Sequence, residues 1–240
     1  MALERWMVPL EGHAFDVEDL PLWLAGGEVT AVVHDGAMCL ALPATGPDHE
    51  GVLERAAQFL DLLNGAMSVL EPTFRPLVCS TTYYGVNREG QKVSTVISVG
   101  NGEVRCKAGA LGVAVGGVPA PDPRHGAALP LLAAAKASPE ASDALTLVGR
   151  QRPTWSELAV VLELAKDASG CKLVELQWIS KPEEERFRRT ANSRKVLGKE
   201  ARHGHANHEP PPNPMTYAEA VRTIRQLVAN WLRRSSPSES

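Results

Sequence analysis

The spacing of apolar and polar positions changes along the chain, and each change predicts an element. Val29-Thr-Ala-Val-Val-His34 and Ala37-Met-Cys-Leu-Ala-Leu42 are short apolar runs separated by Asp35-Gly36. A two-residue turn with positive φ at both central positions suits Asp-Gly, so the pair predicts a β-hairpin. Beyond Gly46-Pro47-Asp48, the residues Val52, Leu53, Ala56, Leu60, Leu63 and Met67 recur at helical spacing. They predict one amphipathic helix reaching about Leu70, closed off by Pro72 and Pro76. Three strands are expected next, Leu77 to Val86, Lys92 to Val99 and Val104 to Ala108. Asn87-Arg-Glu-Gly90 and Gly100-Asn101-Gly102 supply the turns between them. In the middle strand Val93, Thr95, Ile97 and Val99 share one face, while Ser94 and Ser98 share the other. Such alternation describes an antiparallel sheet with one wet face and the helix on the dry one.

Residues 109–126 are rich in Gly and Pro and predict a strand running out into a linker. Their glycines fit neither G-x-G-x-x-G nor G-x-x-x-x-G-K-[ST], so no phosphate loop is expected. From there on the helix starts are explicit. Thr154-Trp-Ser-Glu157, Ser180-Lys-Pro-Glu183 and Thr216-Tyr-Ala-Glu219 each place a hydroxyl at an N-cap and a carboxylate three residues later. Such capping boxes satisfy the unpaired amide hydrogens of a first turn reciprocally. Ser138-Pro139-Glu140 adds a fourth start, with proline at the first helical position. The last helix carries an apolar stripe of Tyr217, Val221, Ile224, Leu227, Val228, Trp231 and Leu232. The expected fold is therefore α+β. A β-rich domain with one main helix spans residues 1–120, an all-helical bundle spans 127–234, and 235–240 form a disordered tail.

Length and composition narrow the class. The chain has 240 residues, 44% hydrophobic and 22% charged. That is enough to bury a core without disulfides or metals. No apolar run approaches the roughly 20 residues of a membrane-spanning helix, so no membrane partner is expected. The first residues do not read as a secretory signal. Cys39, Cys79, Cys106 and Cys171 lie far apart with no C-x-x-C pair. They read as small core residues of a cytoplasmic protein.

The formal net charge of −3 hides an asymmetry. Residues 181–240 hold twelve Lys and Arg against seven Asp and Glu, a net of +5, which leaves −8 on residues 1–180. A basic C-terminal part suits either an anionic partner, nucleic acid first, or an acidic surface of the same protein.

Reactive side chains are densest before the last helix, in Arg202-His-Gly-His-Ala-Asn-His208-Glu209 followed by Pro210-Pro-Pro-Asn-Pro214. Three readings fit these residues. His203, His205 and His208 with Glu209 could ligate a borderline metal, although H-x-H-x-x-H lacks the i, i+4 pairing of helical metal sites. Alternatively, Arg202 could hold a scissile phosphate while a histidine moves the proton of an RNA 2′-hydroxyl. Arg188, Arg189, Asn192, Arg194 and Lys195 would then line the RNA. In the third reading Arg202 caps carbonyls at a helix C-terminus, the histidines are solvated and the prolines form a stiff connector.

The stretch from about Trp155 to Trp231 resembles the C-terminal part of an uncharacterised bacterial family. The resemblance rests on Thr190-Ala-Asn192, Ala201-Arg-His-Gly204, Pro212-Asn-Pro-Met215, Glu219-Ala220 and Trp231-Leu232. The same stretch loosely resembles the HEPN class of helical RNA-binding and RNA-cleaving domains, whose ribonucleases carry R-x(4–6)-H near the start of a late helix. Arg202 followed by His208 has that spacing, although here the proline run stands between His208 and the last helix. The resemblance implies an RNA-binding protein, a metal-independent ribonuclease of stress or phage defence, working as a homodimer with no cofactor. Its catalytic residues would be Arg202 with His208 or, failing that, His203. The alternative is a non-enzymatic binding protein whose sheet recognises a partner and whose bundle dimerises. No G-x-S-x-G or H-E-x-x-H motif offers a different chemistry, and His13, His34, His49 and His125 are isolated.

Overall fold

The computed structural model describes residues 3–45, 49–97, 122, 124–202 and 209–235. The expected strand Val104 to Ala108, most of the linker and the tail lie outside these residues. The fold is α+β, with an antiparallel sheet in the N-terminal part and helices after it. The chain divides into two compact units, one of residues 1–60 and 75–129 and the other of 61–74 and 130–240.

Among the described residues the first unit is built on six strands, β1 (Arg5–Glu11), β2 (Thr30–His34), β3 (Ala37–Pro43), β4 (Val78–Cys79), β5 (Thr82–Val86) and β6 (Lys92–Ile97). Their order is β2-β3-β1-β5-β6, with β4 also pairing the end of β1. The hairpin forms as its turn chemistry demands: Asp35 and Gly36 take φ of 51° and 76°, and His34 pairs Ala37. Two short helices, α1 (Ala14–Glu18) and α2 (Leu20–Trp23), precede the hairpin, and Leu20 and Trp23 are buried. The long helix α3 (Val52–Leu70) has the expected bounds.

The central strand is β1, which pairs β3 on one side and β5 on the other. It was not anticipated, because its residues carry no period-2 signal. Trp6, Met7 and Val8 are all buried, and so are Met38 to Leu42 on β3. The centre of the sheet is thus covered on both faces, where the pattern of the middle strand had predicted one wet face. β6 departs from the expectation in the other direction: Lys92 to Thr95 are exposed in succession, so Val93 and Thr95, expected on the dry face, are open to solvent as well. Pro9 is tolerated inside β1 although proline removes a ladder donor. The expected strand Leu77 to Val86 is interrupted at Ser80-Thr81, giving β4 and β5.

One sheet face gathers Met7, Cys39, Ala41, Tyr84 and Val86. The Tyr84 hydroxyl lies 3.0 Å from His34 Nδ1 and 3.6 Å from Cys39 Sγ, while His34 Nε2 donates to the Gly90 carbonyl at 2.8 Å. A carbonyl only accepts, so the neutral His34 ring carries its proton on Nε2 and accepts from Tyr84 at Nδ1. Lys92 sits 4.0 Å from the centre of the Tyr84 ring and pairs with Asp35. Burial raises the pKa of both Cys39 and Tyr84, so both stay protonated. Of the cysteines, Cys39 is buried, Cys79 is partly buried and Cys171 is exposed, so Cys171 is not the core residue expected.

The second unit holds α4 (Leu129–Ala137), α5 (Pro139–Val148), α6 (Trp155–Ser169), α7 (Lys181–Ala191), α8 (Arg194–Leu197) and α9 (Tyr217–Ser235). All four expected starts are real: the Ser138 hydroxyl accepts from Ala141 N–H, and the boxes at Thr154 and Ser180 are complete. At Thr216 the Glu219 carboxylate accepts the Thr216 N–H at 2.8 Å while the Thr216 hydroxyl accepts the Glu219 N–H at 3.2 Å. α4 was missed because Leu-Pro-Leu-Leu-Ala-Ala-Ala is nearly uniform in polarity and shows no period. Trp155 stacks on Phe187 at 6.0 Å and meets Tyr217 edge-on at 6.3 Å, joining α6, α7 and α9 in one core, and Trp178 before α7 stacks on Trp231 of α9 at 6.3 Å.

Candidate functional site

The expected site residues gather around α7 and the chain that follows it. Phe187, Thr190 and Ala191 face the core, while Lys181, Glu184, Arg188 and Asn192 follow at the spacing of one helix face. That face borders an open groove of about 600 Å³, lined also by Glu185, Arg189 and Glu209. Its three cations and three carboxylates balance.

A smaller cavity of about 60 Å³ lies between α6 and α7. Leu162, Phe187 and Ala191 form apolar wall, and Glu163, Lys166, Glu184, Arg188, Asn192 and Arg202 supply the polar groups. This volume holds a few waters or one small oxyanion. Asn192 Oδ1 is buried here with no hydrogen-bond partner among the described residues. Arg202 is held twice: its N–H donates to the Ala191 carbonyl at 2.9 Å, and its Nη2 to Glu163 Oε1 at 2.6 Å. The expected helix-capping role of its guanidinium is therefore not what the structure shows, because the side chain meets a carboxylate and only the main chain takes up a carbonyl of α7.

The proline-rich segment is fastened to the same helix. Arg186 donates to the carbonyls of Asn213 (2.7 Å) and Pro214 (3.2 Å) and pairs with Glu219 at 2.9 Å. Arg189 donates to the Pro210 carbonyl at 2.9 Å. The buried Thr190 hydroxyl donates to the Arg186 carbonyl and accepts the Met215 N–H at 3.0 Å. Glu219, fixed by the Thr216 backbone N–H, then by its hydroxyl and by Arg186, is held below the usual carboxylate range.

Arg188, Asn192 and Arg202 are thus brought to one cavity. Arg189 lines the neighbouring groove but spends a donor on Pro210, and Arg194 and Lys195 on α8 are exposed and line neither space. His203 and His208, together with His205, lie outside the described residues. Among the described residues no group of three or more His, Cys, Asp or Glu could hold a metal ion. Sequence reasoning missed Glu163 and Arg186 and carried Thr190 only as a mark of the resemblance; their tertiary partners are 25 to 39 residues away with no local signal. Tyr83 and Tyr84 are buried at 5% exposure each and offer no stacking platform for a base. No helix among the described residues is long and apolar enough to cross a membrane. The chain matches no family model, no curated protein and no solved structure.

Proposed function

We propose that the protein binds RNA through its helical unit and cleaves it without a metal, in the HEPN manner. Arg202 would grip the scissile phosphate. His208, or failing it His203, would take the proton of the 2′-hydroxyl as that oxygen attacks phosphorus and the 5′-oxygen leaves. The observation that carries this reading is the meeting of Arg188, Asn192 and Arg202 on one cavity of oxyanion size. The net charge of +5 beyond residue 180 supports it. A homodimer acting in the cytoplasm, in stress or phage defence, belongs to the same reading.

A second reading is favoured by two observations: Glu163 already occupies the Arg202 guanidinium, and carboxylates match the cations along the α7 groove. In that reading the arginine is structural and the protein is a non-enzymatic binding module. Salt separates the two. Each phosphate contact releases counterions, so affinity for a mixed-sequence RNA should fall steeply between low and moderate salt in the first reading. Absence of RNA binding at any salt favours the second.

A further inference from the structure

Two acid–base pairs on α7 share one spacing and differ in outcome. Glu185 and Arg189 stand one helical turn apart and form an ion pair at 3.8 Å. Glu184 and Arg188 stand one turn apart in the same order, acid before base, which favours pairing on a helix. Yet neither of these side chains has an ion-pair or hydrogen-bond partner among the described residues. Both, together with Asn192, border the small cavity between α6 and α7 and also the open groove. Glu184 is partly buried there, and Arg188 is exposed.

The neighbouring carboxylates have other duties. Glu163 is spent on Arg202 and Glu185 on Arg189, while Glu183 closes the Ser180 capping box. Glu209 lies next to Pro210, whose carbonyl Arg189 ties to α7. Glu184 is thus an uncommitted carboxylate in a groove read above as taking a phosphate chain. Such a group repels the chain unless the chain gives it a hydrogen-bond donor. RNA carries one that DNA lacks, the ribose 2′-hydroxyl. That hydroxyl stands on the carbon beside the one bearing the 3′-phosphate. A carboxylate and a guanidinium with β-carbons about 5–6 Å apart can therefore meet both.

We infer that Glu184 selects RNA over DNA. Its carboxylate accepts the 2′-hydroxyl of a nucleotide in the groove while Arg188 holds the adjacent 3′-phosphate. The inference rests on the reading that the helical unit binds RNA, and it concerns binding, not cleavage. The nucleotide so held neighbours the one cut at Arg202, whose own 2′-hydroxyl is the attacking group. With DNA the same carboxylate finds no donor and only repels. The competing account is that Glu184 serves the dipole of the first turn of α7 and leaves the sugar unread.

Equilibrium titrations of the full chain with one sequence as RNA, DNA and 2′-O-methyl RNA, at a single ionic strength, test the inference. A parent carrying His203→Ala and His208→Ala keeps the RNA intact. This parent should bind RNA about ten-fold tighter than either other strand, the scale of one hydrogen bond to a charged acceptor. Glu184→Ala in the parent should bring the three affinities together, weakening RNA and tightening DNA. Glu184→Gln keeps an accepting oxygen without the charge, so it should tighten DNA and retain most of the RNA affinity. Arg188→Gln should weaken all three strands and flatten the salt dependence. An unchanged RNA-to-DNA ratio in Glu184→Ala, or equal affinities in the parent, would overturn the inference and leave nucleic-acid binding standing. No binding of any strand would instead remove the reading beneath it, and the inference with it.

Discussion

Arg202 and Glu163 are joined by a charge-assisted hydrogen bond of 2.6 Å across 39 residues of chain, and the arginine so held forms one wall of the cavity between α6 and α7. A guanidinium has five donors in a fixed fork, and this contact uses one nitrogen. No partner among the described residues takes up the others, so the fork can meet a second oxyanion in competition with Glu163.

That competition has a direction. Glu163→Gln removes the resident charge, and RNA affinity should rise several-fold if Arg202 receives a phosphate. Both side chains are partly exposed, so loss of the pair should cost less than about 1 kcal/mol of stability. Unchanged RNA affinity in a titration at low salt would mean that Arg202 serves Glu163 alone.

The sheet face around Tyr84 makes a separate prediction. Tyr84→Phe keeps the ring over Met7 and under Lys92 but deletes the hydroxyl that His34 accepts from. Urea denaturation should show a loss of about 1 kcal/mol, the net worth of one such hydrogen bond. His34→Ala should cost at least as much, since it also releases the Gly90 carbonyl.

Gly65 and Gly149 are fixed by packing. A Cβ on Gly65 would overlap the Leu145 main chain, and one on Gly149 would fall 2.5 Å from Gly65 N. Main chain cannot step aside as a flexible side chain does. Alanine at either position should cost on the order of 1–3 kcal/mol or more, read from thermal melts. Gly170→Ala meets open space and a φ of 62°, so it should cost only about 1 kcal/mol through backbone strain.

Acidification should weaken the helical unit through Glu219. Its carboxyl is depressed in the fold, so its contribution is fully present above the unfolded carboxylate value of about 4.3 and is lost as pH falls through the lower folded value. Melting temperature should therefore drop on going from neutral to strongly acidic buffer. Glu219→Gln should melt lower at neutral pH and show a shallower drop. An identical slope in the variant would show that Glu219 is not among the groups that couple stability to protons.

These residues also mark what the chain disclosed in advance. Asp35-Gly36 and the three capping boxes were legible because their hydrogen bonds close within four residues. α3 was legible because 19 residues repeat one period. β1 was not, because a strand buried on both faces has no alternation and proline interrupts its run. Arg188, Asn192 and Arg202 were named from charge and spacing, yet nothing local reveals that they share a cavity or that Glu163 stands in it. Arg189 looked equally available until Pro210 proved to hold it.

The most direct measurement is cleavage of a mixed-sequence RNA in EDTA by the wild type, Arg202→Ala and His208→Ala, with folding checked by circular dichroism. The account predicts that the wild type cuts and that both variants fold but cut at least a hundred-fold more slowly, the scale of lost acid–base catalysis being about 10²–10⁴. An inert wild type, or an Arg202→Ala variant that cuts as fast, would contradict it and leave Arg202 as the structural partner of Glu163.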